Sequence, residues 1–149
     1  MSDKIYVPKY FRAHELVPPK VLNSKSTIEI FDMFDQNLLR DMDTIRELCV
    51  KEYGEGTYII VNDWQSGGKF TQRGLRTDLF VGAKNSPHRT GDAFDFDVWT
   101  RSGETNIIIS SDKIRTLIRK NKKKLLAIRR IERKTNWVHV DTIIHEFNP

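Results

Sequence analysis

Two short segments of the sequence contain three side chains that could bind one metal ion. His88 and Asp95 lie seven positions apart in the first segment, and His139 lies in the second, which reads Trp-Val-His-Val-Asp from position 137. Two imidazoles and one carboxylate are a common ligand set of catalytic zinc, which keeps a fourth position for water. A closed structural site needs a fourth protein ligand, and the chain offers few. These residues therefore predict a catalytic Zn²⁺ site.

The residues around Asp95 have the alternation of a half-buried β-strand. From 92 to 99, Phe94, Phe96 and Val98 fall on one face, whereas Asp95 and its neighbours two positions away fall on the other. We therefore expect the aromatic face to pack into the core and the carboxylate face to line the site. The same period of two places His139 on the opposite face of its strand from the flanking valines.

A β-hairpin is predicted to hold His139. Its two strands are expected over Leu125–Glu132 and Trp137–Ile143, around a turn at 134–136. If Thr135 and Asn136 are the two loop residues, antiparallel pairing places Glu132 directly opposite His139. The short turn would therefore set a carboxylate beside a metal ligand.

The rest of the chain predicts a single α+β domain, 1–149, with a central antiparallel sheet and packed helices. Apolar residues at three- and four-residue spacing predict one amphipathic helix over Thr27–Tyr53. Tyr58–Trp64 reads as a buried strand, and a long loop then runs to about Pro87. A further helix is expected to begin near 110–112, where serines and an aspartate offer capping side chains, and to end in a run of lysines.

Composition limits the class of protein. The chain has 149 residues, of which 38% are hydrophobic and 30% charged, as in ordinary globular domains. Its single cysteine, Cys49, excludes an internal disulfide and lies in a helical pattern, so we expect it to be buried and unreactive. No signal peptide and no membrane-spanning apolar run is visible, which predicts synthesis in the cytoplasm, and we expect a monomer.

The net charge of +5 favours anionic partners. Much of the excess lies in two segments, 115–124 and 129–134. Neither segment has interleaved aromatic residues or a glycine-rich phosphate loop. We therefore interpret them as a solvated helix face and strand edge, and we expect no nucleic-acid partner.

Both metal-ligand segments resemble motifs of one known family. The segment from Ser86 to Asp95 is similar to the Ser-x-His-x-x-Gly-x-Ala-x-Asp motif of the zinc D-Ala-D-Ala carboxypeptidases and L-alanyl-D-glutamate endopeptidases, and Trp137 to His139 resembles that family's Trp-x-His motif. Phe11–Leu16 looks like the common opening of the family. Many members are bacteriophage or bacterial peptidoglycan hydrolases. The resemblance extends weakly over nearly the whole chain.

The resemblance implies a zinc DD-peptidase/hedgehog-like fold with His88, Asp95 and His139 as the zinc ligands. It also implies a functional arginine in the loop before His88, where Arg73 and Arg76 are the two candidates. Arg73, or alternatively Arg76, would stabilise the oxyanion that forms during amide hydrolysis, and either could instead be a solvated loop charge. Ser86 would either hydrogen-bond near the metal or shape the loop, and we expect His14 and His145 to lie outside the ligand set.

The chain departs from the family at the general base. Many members carry an acidic residue three positions before the second ligand histidine, and here that position is Asn136, which cannot accept a proton from water. Two carboxylates could replace it: Glu132, across the hairpin from His139, and Asp141, two residues along the same strand face. Glu132 could also be a surface residue, and Asp141 could instead orient His139.

The expected function is therefore a zinc-dependent peptidase that hydrolyses an amide bond in the peptide stem of peptidoglycan. Phage origin is implied by the resemblance and small size, and such an endolysin would act on the cell wall after release through a membrane lesion or as part of a virion. The alternative is a non-catalytic metal-binding module, such as a phage tail or assembly component, that kept the ligands and lost the base. Which peptide bond is cut depends on pocket shape, on which the sequence is silent.

Overall fold

The computed structural model describes residues 4–78 and 82–144, so His145 lies outside the described residues. Within these ranges the chain has an α+β fold, with four α-helices and one five-stranded antiparallel sheet. The helices and strands are α1 (Pro19–Ser24), α2 (Thr27–Asp32), α3 (Gln36–Tyr53), β1 (Tyr58–Ile60), β2 (Ala93–Ser102), β3 (Thr105–Ile109), α4 (Ser111–Lys120), β4 (Arg130–Ile131) and β5 (Val138–Asp141). None of the described helices is both long and apolar enough to cross a membrane.

Strand β2 is the centre of the sheet. Its first half pairs with β5, with Asp95 opposite His139, and its second half pairs with β3. The strand order along the main path is β1-β2-β5-β4. The β2–β3 hairpin, which the sequence analysis did not predict, turns at Gly103 with a positive φ of 64°.

The predicted alternation along β2 is confirmed. Phe94, Phe96 and Val98 are almost fully buried in the core, and Phe34 stacks on Phe94 with ring centroids 5.2 Å apart. Helix α3 covers this face of the sheet and places the Cys49 thiol in the core, where burial raises the pKa of the thiol to about 12. Cys49 is therefore an inert core residue, as expected.

The prediction of a single helix over Thr27–Tyr53 is wrong. Two helices, α2 and α3, occupy this range, because Asp35 caps α3 instead of continuing α2: its carboxylate accepts a hydrogen bond from the Leu38 N–H at 2.9 Å. The Asp35 N–H donates to the Gly91 carbonyl at 3.0 Å. The break between α2 and α3 is therefore hydrogen-bonded to the turn that follows His88.

The hairpin at His139 forms with the predicted register but with shorter strands. Arg130 pairs with Asp141, so Glu132 comes opposite His139, and the Glu132 N–H donates to the His139 carbonyl at 3.1 Å. The expected strand over Leu125–Glu132 is reduced to β4. Residues 126–128 are irregular because the buried Asp41 carboxylate accepts their three backbone N–H groups at 2.7–3.0 Å.

One further strand is shorter than predicted, and one helix begins as predicted. The strand expected over Tyr58–Trp64 ends at Ile60, and a 3-10 turn occupies Trp64–Ser66. Helix α4 begins where the serines and aspartate predicted it, and Ile114 and Ile118 face the core.

Candidate metal centre

The structure brings the three predicted metal ligands together. One ligand atom from each of His88, Asp95 and His139 lies within 4.8 Å of the others, and all three residues are buried. Asp95 and His139 come from paired positions of β2 and β5, while His88 comes from a 3-10 turn over Pro87–Thr90. Two strands of the sheet and one loop thus form the cluster, which could hold a metal ion.

His88 is held in one ring orientation by its backbone neighbours. Its Nδ1 lies 2.9 Å from the Gly74 carbonyl, which can only accept, so Nδ1 carries the proton and Nε2 has a free lone pair. Gly74 can place its carbonyl there because it packs against the Leu16 backbone, where a Cβ would lie 2.1 Å from the Leu16 oxygen. The Ser86 hydroxyl accepts the His88 N–H at 3.3 Å, so Ser86 shapes this loop.

The lone pair of His88 Nε2 has no hydrogen-bond partner among the described residues, although the atom is fully buried. The nearest acidic atom, Asp95 Oδ2, lies 3.2 Å away but outside hydrogen-bonding geometry. Two electron-rich atoms thus face each other inside the protein. Buried polar atoms are normally satisfied, and a cation between these two would satisfy both.

His139 lies between two carboxylates. Its Nδ1 is 2.7 Å from Asp95 Oδ1, and its Nε2 is 2.7 Å from Asp141 Oδ2. Burial alone would lower the pKa of His139, but the hydrogen bonds to Asp141 and Asp95 outweigh it and raise this pKa to about 9. Burial alone would likewise raise the pKa of Asp95, yet its hydrogen bond with His139 holds this pKa well below its ordinary range.

These contacts leave room for an exchange of a proton for a divalent cation at His139 Nδ1. Without an ion, a doubly protonated His139 donates to both carboxylates. With an ion near Asp95, His139 Nδ1 would lose its proton and face the ion, while Nε2–H would still donate to Asp141. The donor set, with one orphaned imidazole nitrogen, therefore fits a metal.

Asp141 is fully buried, and both of its carboxylate oxygens form hydrogen bonds within the protein. Its carboxylate binds His139, accepts from Arg130 Nε at 2.8 Å and accepts from the Ile143 N–H at 3.0 Å. Burial alone would raise its pKa, but the contacts with His139 and Arg130 lower it. This geometry favours the orienting role among the two considered for Asp141.

Glu132 lines a cleft that lies next to the three candidate ligands. Its side chain is 52% exposed, and its Oε2 lies 3.9 Å from His139 Nδ1. Solvent exposure leaves this carboxylate free to exchange protons with water, in contrast to the buried Asp141. Asn136 is exposed and lines a neighbouring cavity instead of the cleft.

The two candidate arginines lie in different places. The Arg73 guanidinium binds Asp97 at 3.0 Å and stacks on Phe70, so it supports the strand next to the site. The Arg76 guanidinium lies 3.6 Å from Asp95 Oδ2 and lines the cleft, where the Ser86 hydroxyl also accepts from it at 3.3 Å. Arg76 is therefore the arginine that a bound molecule would meet.

The cleft above the cluster has a volume of about 750 Å³, within the usual range for small-molecule sites. Sequence reasoning missed two of its cations, Arg130 and Arg133. The period of two could have found Arg130, because it shares a strand face with Glu132. The side chains that line the cleft include those of Arg76, Ser86, His88, Asp95, Arg130, Glu132, Arg133, Trp137 and His139.

Comparison with protein-family models, with curated proteins and with solved structures finds no significant match to this chain. Membership in the zinc peptidase family therefore stays a prediction that depends on the motif residues.

Proposed function

We propose that this chain is a zinc-dependent peptidase that hydrolyses an amide bond in the peptide stem of peptidoglycan, with a zinc DD-peptidase/hedgehog-like fold. The observation that carries the proposal is the convergence of His88, Asp95 and His139 at the floor of a cleft, with an exposed carboxylate, Glu132, and a guanidinium, Arg76, at its wall. The motif resemblance supports the reaction and the substrate.

Zinc is the metal that the donor set suits best. Two imidazole nitrogens and one carboxylate oxygen are typical of hydrolytic zinc, whereas magnesium and calcium prefer oxygen ligands. The same three donors also occur around non-haem iron(II), so the metal needs direct identification. When bound, zinc would act as a Lewis acid that activates water and polarises the scissile carbonyl.

The residues around the cluster have complementary roles in this proposal. Glu132 would accept a proton from the attacking water at a carboxylate oxygen and pass it to the leaving amine. Arg76 would donate hydrogen bonds to the negative charge that develops on the carbonyl oxygen. Asp141 would hold the proton on His139 Nε2, so that Nδ1 stays a ligand atom.

The charge of the cleft agrees with this substrate class. Three arginines, Arg76, Arg130 and Arg133, line it, although Arg130 also binds Asp141. Free carboxylates of a peptidoglycan stem would meet these guanidinium groups, which bind carboxylates in a bidentate manner. Because the cell wall lies outside the cytoplasm, the protein would reach it after release through a membrane lesion or as part of a virion.

Hydrolysis of purified cell-wall sacculi tests the proposal. Zinc-loaded protein is expected to release new amino groups, and Glu132→Gln is expected to lower the rate by about 10²–10⁴-fold. The control, Glu104→Gln, removes an exposed carboxylate from the β2–β3 turn and is expected to keep full activity. If wild-type protein loaded with zinc or with iron releases no amino groups, the peptidase proposal fails.

Metal analysis is a separate test of the ligand set. The purified protein is expected to contain one zinc ion, and His88→Ala is expected to lose it. Asp141→Asn is expected to weaken zinc binding by about 10–100-fold without abolishing it, as expected for a side chain that only orients a ligand. Equal zinc content in all three proteins would contradict the assignment.

A second candidate function is a non-catalytic metal-binding module, such as a phage tail or assembly component. The observation that favours it is Asn136, which stands where the resembling family often has its acid and lies outside the cleft. A module of this kind would bind zinc through the same three ligands and release no amino groups. The sacculus assay and the metal analysis together separate the two functions.

A further inference from the structure

A second cavity lies between α4 and β4, away from the metal ligands. It has a volume of about 350 Å³. Four of its lining side chains are aliphatic and four are cationic, and none is acidic: Ile118, Arg119, Lys122, Leu125, Ile128, Arg129, Ile131 and Arg133. We call it the α4–β4 cavity.

The four cations of this cavity differ from the four arginines that form ion pairs elsewhere in the described chain. Arg73, Arg76, Arg115 and Arg130 each pair with a carboxylate within 4.0 Å. In the described part of the chain, the four cationic groups that line the α4–β4 cavity have no ion-pair partner: Arg119, Lys122, Arg129 and Arg133. Four cations without an acidic partner in the described part of the chain thus line one cavity.

This gathering has an electrostatic cost that a bound anion would remove. Like charges that converge on one concavity repel each other, and the concave shape concentrates their positive potential. The carboxyl end of α4 would attract Arg119, which lies in its last turn. That effect does not extend to Arg129 and Arg133, which come from the segment around β4.

The aliphatic half of the cavity lining indicates that the anionic group of the ligand is attached to an apolar segment. Ile118 and Ile128 are buried at the cavity, and Leu125 and Ile131 are partly buried and pack against the core. An inorganic ion would make contact with the cationic groups and leave the accessible apolar surface, which belongs mainly to Leu125 and Ile131, in water. An apolar segment would cover it and gain about 25 cal/mol for each Å² buried.

We propose that the α4–β4 cavity binds an amphiphilic anion, that is, a phosphate or carboxylate group attached to a short apolar segment. The anionic group lies among the guanidinium and ammonium groups, and the apolar segment lies on the isoleucines and leucine. The proposal does not depend on the metal or on peptidase activity. Such a ligand could be a soluble metabolite or the headgroup region of an anionic lipid.

Calorimetric titration with hexyl phosphate at low salt tests the site. Saturable binding with one site per chain is expected, with an affinity about tenfold above that of inorganic phosphate because of the apolar chain. Equal affinity for both probes, or no saturable binding of hexyl phosphate, would overturn the proposal.

Charge-removing variants locate the binding. Arg119→Gln and Arg129→Gln are each expected to weaken hexyl phosphate binding roughly tenfold, since a hydrogen bond to a charged group contributes on the order of 1.5–3 kcal/mol. Lys20→Gln removes the same charge from exposed α1 and is expected to leave the affinity unchanged. Arg133 is not used, because it also lines the metal cleft. If all three variants weaken binding equally, the effect is general electrostatics and the site is wrong. If none of them weakens binding, the anion does not bind at these residues and the site is also wrong.

Vesicles distinguish the two sources of the ligand. If the source is a lipid, the protein is expected to bind phosphatidylcholine vesicles that contain phosphatidylglycerol, and Arg129→Gln is expected to weaken this binding more than Lys20→Gln. If the source is soluble, hexyl phosphate binds and the vesicles do not. Either result supports the cavity as an anion site, whereas absence of saturable hexyl phosphate binding rejects it whatever the vesicles show.

Discussion

Zinc is expected to stabilise this protein against heat through Asp95. Asp95 lies 3.2 Å from His88 Nε2 and 2.7 Å from His139 Nδ1, so its charge faces both imidazoles. In Asp95→Asn the shape is kept and the charge is lost, and the ion would meet a neutral amide. We therefore expect wild-type protein to gain stability on zinc addition, and the variant to gain almost none.

The size of the gain follows from mass action. At a free zinc concentration one hundred times the dissociation constant, binding to the native state adds about 2.7 kcal/mol to the free energy of unfolding. For a chain of 149 residues, each kcal/mol shifts the melting temperature by about 2–4 °C. The expected rise in melting temperature is therefore roughly 5–11 °C.

Differential scanning calorimetry of chelator-treated protein, with and without zinc, measures this shift. Asp97→Asn is the matched control, because Asp97 lies two positions along β2 and binds Arg73 instead of the ligand histidines. The control is expected to keep the full zinc-induced shift even if its baseline stability falls. A shift in Asp95→Asn as large as that in wild type would refute the assignment of Asp95 as a ligand.

Three further predictions follow from the geometry. Glu132→Gln is expected to keep the zinc-induced thermal shift and to lose amide hydrolysis, since the Glu132 carboxylate is half exposed and lies 3.9 Å from His139 Nδ1. If the variant loses both the shift in calorimetry and the activity in the amine assay, Glu132 is a metal ligand instead. Asp41→Ala leaves three backbone N–H groups without an acceptor, two of them buried, and should lower the free energy of unfolding in urea by at least about 2 kcal/mol; a loss below about 1 kcal/mol would contradict this account. Gly91→Ala brings a Cβ to 2.0 Å from a neighbouring carbonyl oxygen, whereas Gly103→Ala meets open space at a similar positive φ. Urea unfolding should therefore show a loss of stability of about 1–2 kcal/mol for Gly103→Ala and a clearly larger loss for Gly91→Ala. Equal losses would mean that the backbone near residue 91 relaxes.

The metal cluster could be predicted from sequence because strand period and hairpin register are local properties. Alternation along β2 assigned Asp95 to the polar face, and a two-residue turn set Glu132 opposite His139. Each inference used only the neighbours of the residue in question. The convergence of His88 on the same point depends on the loop fold and came from motif resemblance, not from periodicity.

Features that depend on distant contacts could not be predicted in the same way. The apolar spacing continues through the break between α2 and α3, so only the contact of Asp35 with Gly91 explains where α3 begins. Residues 126–128 lie in a segment that reads as a strand, yet Asp41, more than eighty positions earlier, accepts their N–H groups and keeps them irregular. The choice of Arg76 over Arg73 likewise depends on how the long loop crosses the sheet.

The register of three neighbouring strands offers a physical reason why Glu132 could supply the carboxylate that position 136 lacks. Glu132 on β4, His139 on β5 and Asp95 on β2 occupy one row across the sheet, and Arg130 and Asp141 occupy the next row. The proposed base Glu132, the candidate ligands Asp95 and His139, and Asp141 therefore share one face of the sheet. A slip of one residue between β4 and β5 would turn Glu132 to the opposite face while leaving the ligands in place. If Glu132 is the base of the proposed peptidase, lengthening the hairpin turn, where Lys134 has a positive φ of 62°, by one residue is expected to abolish hydrolysis and to leave metal binding intact.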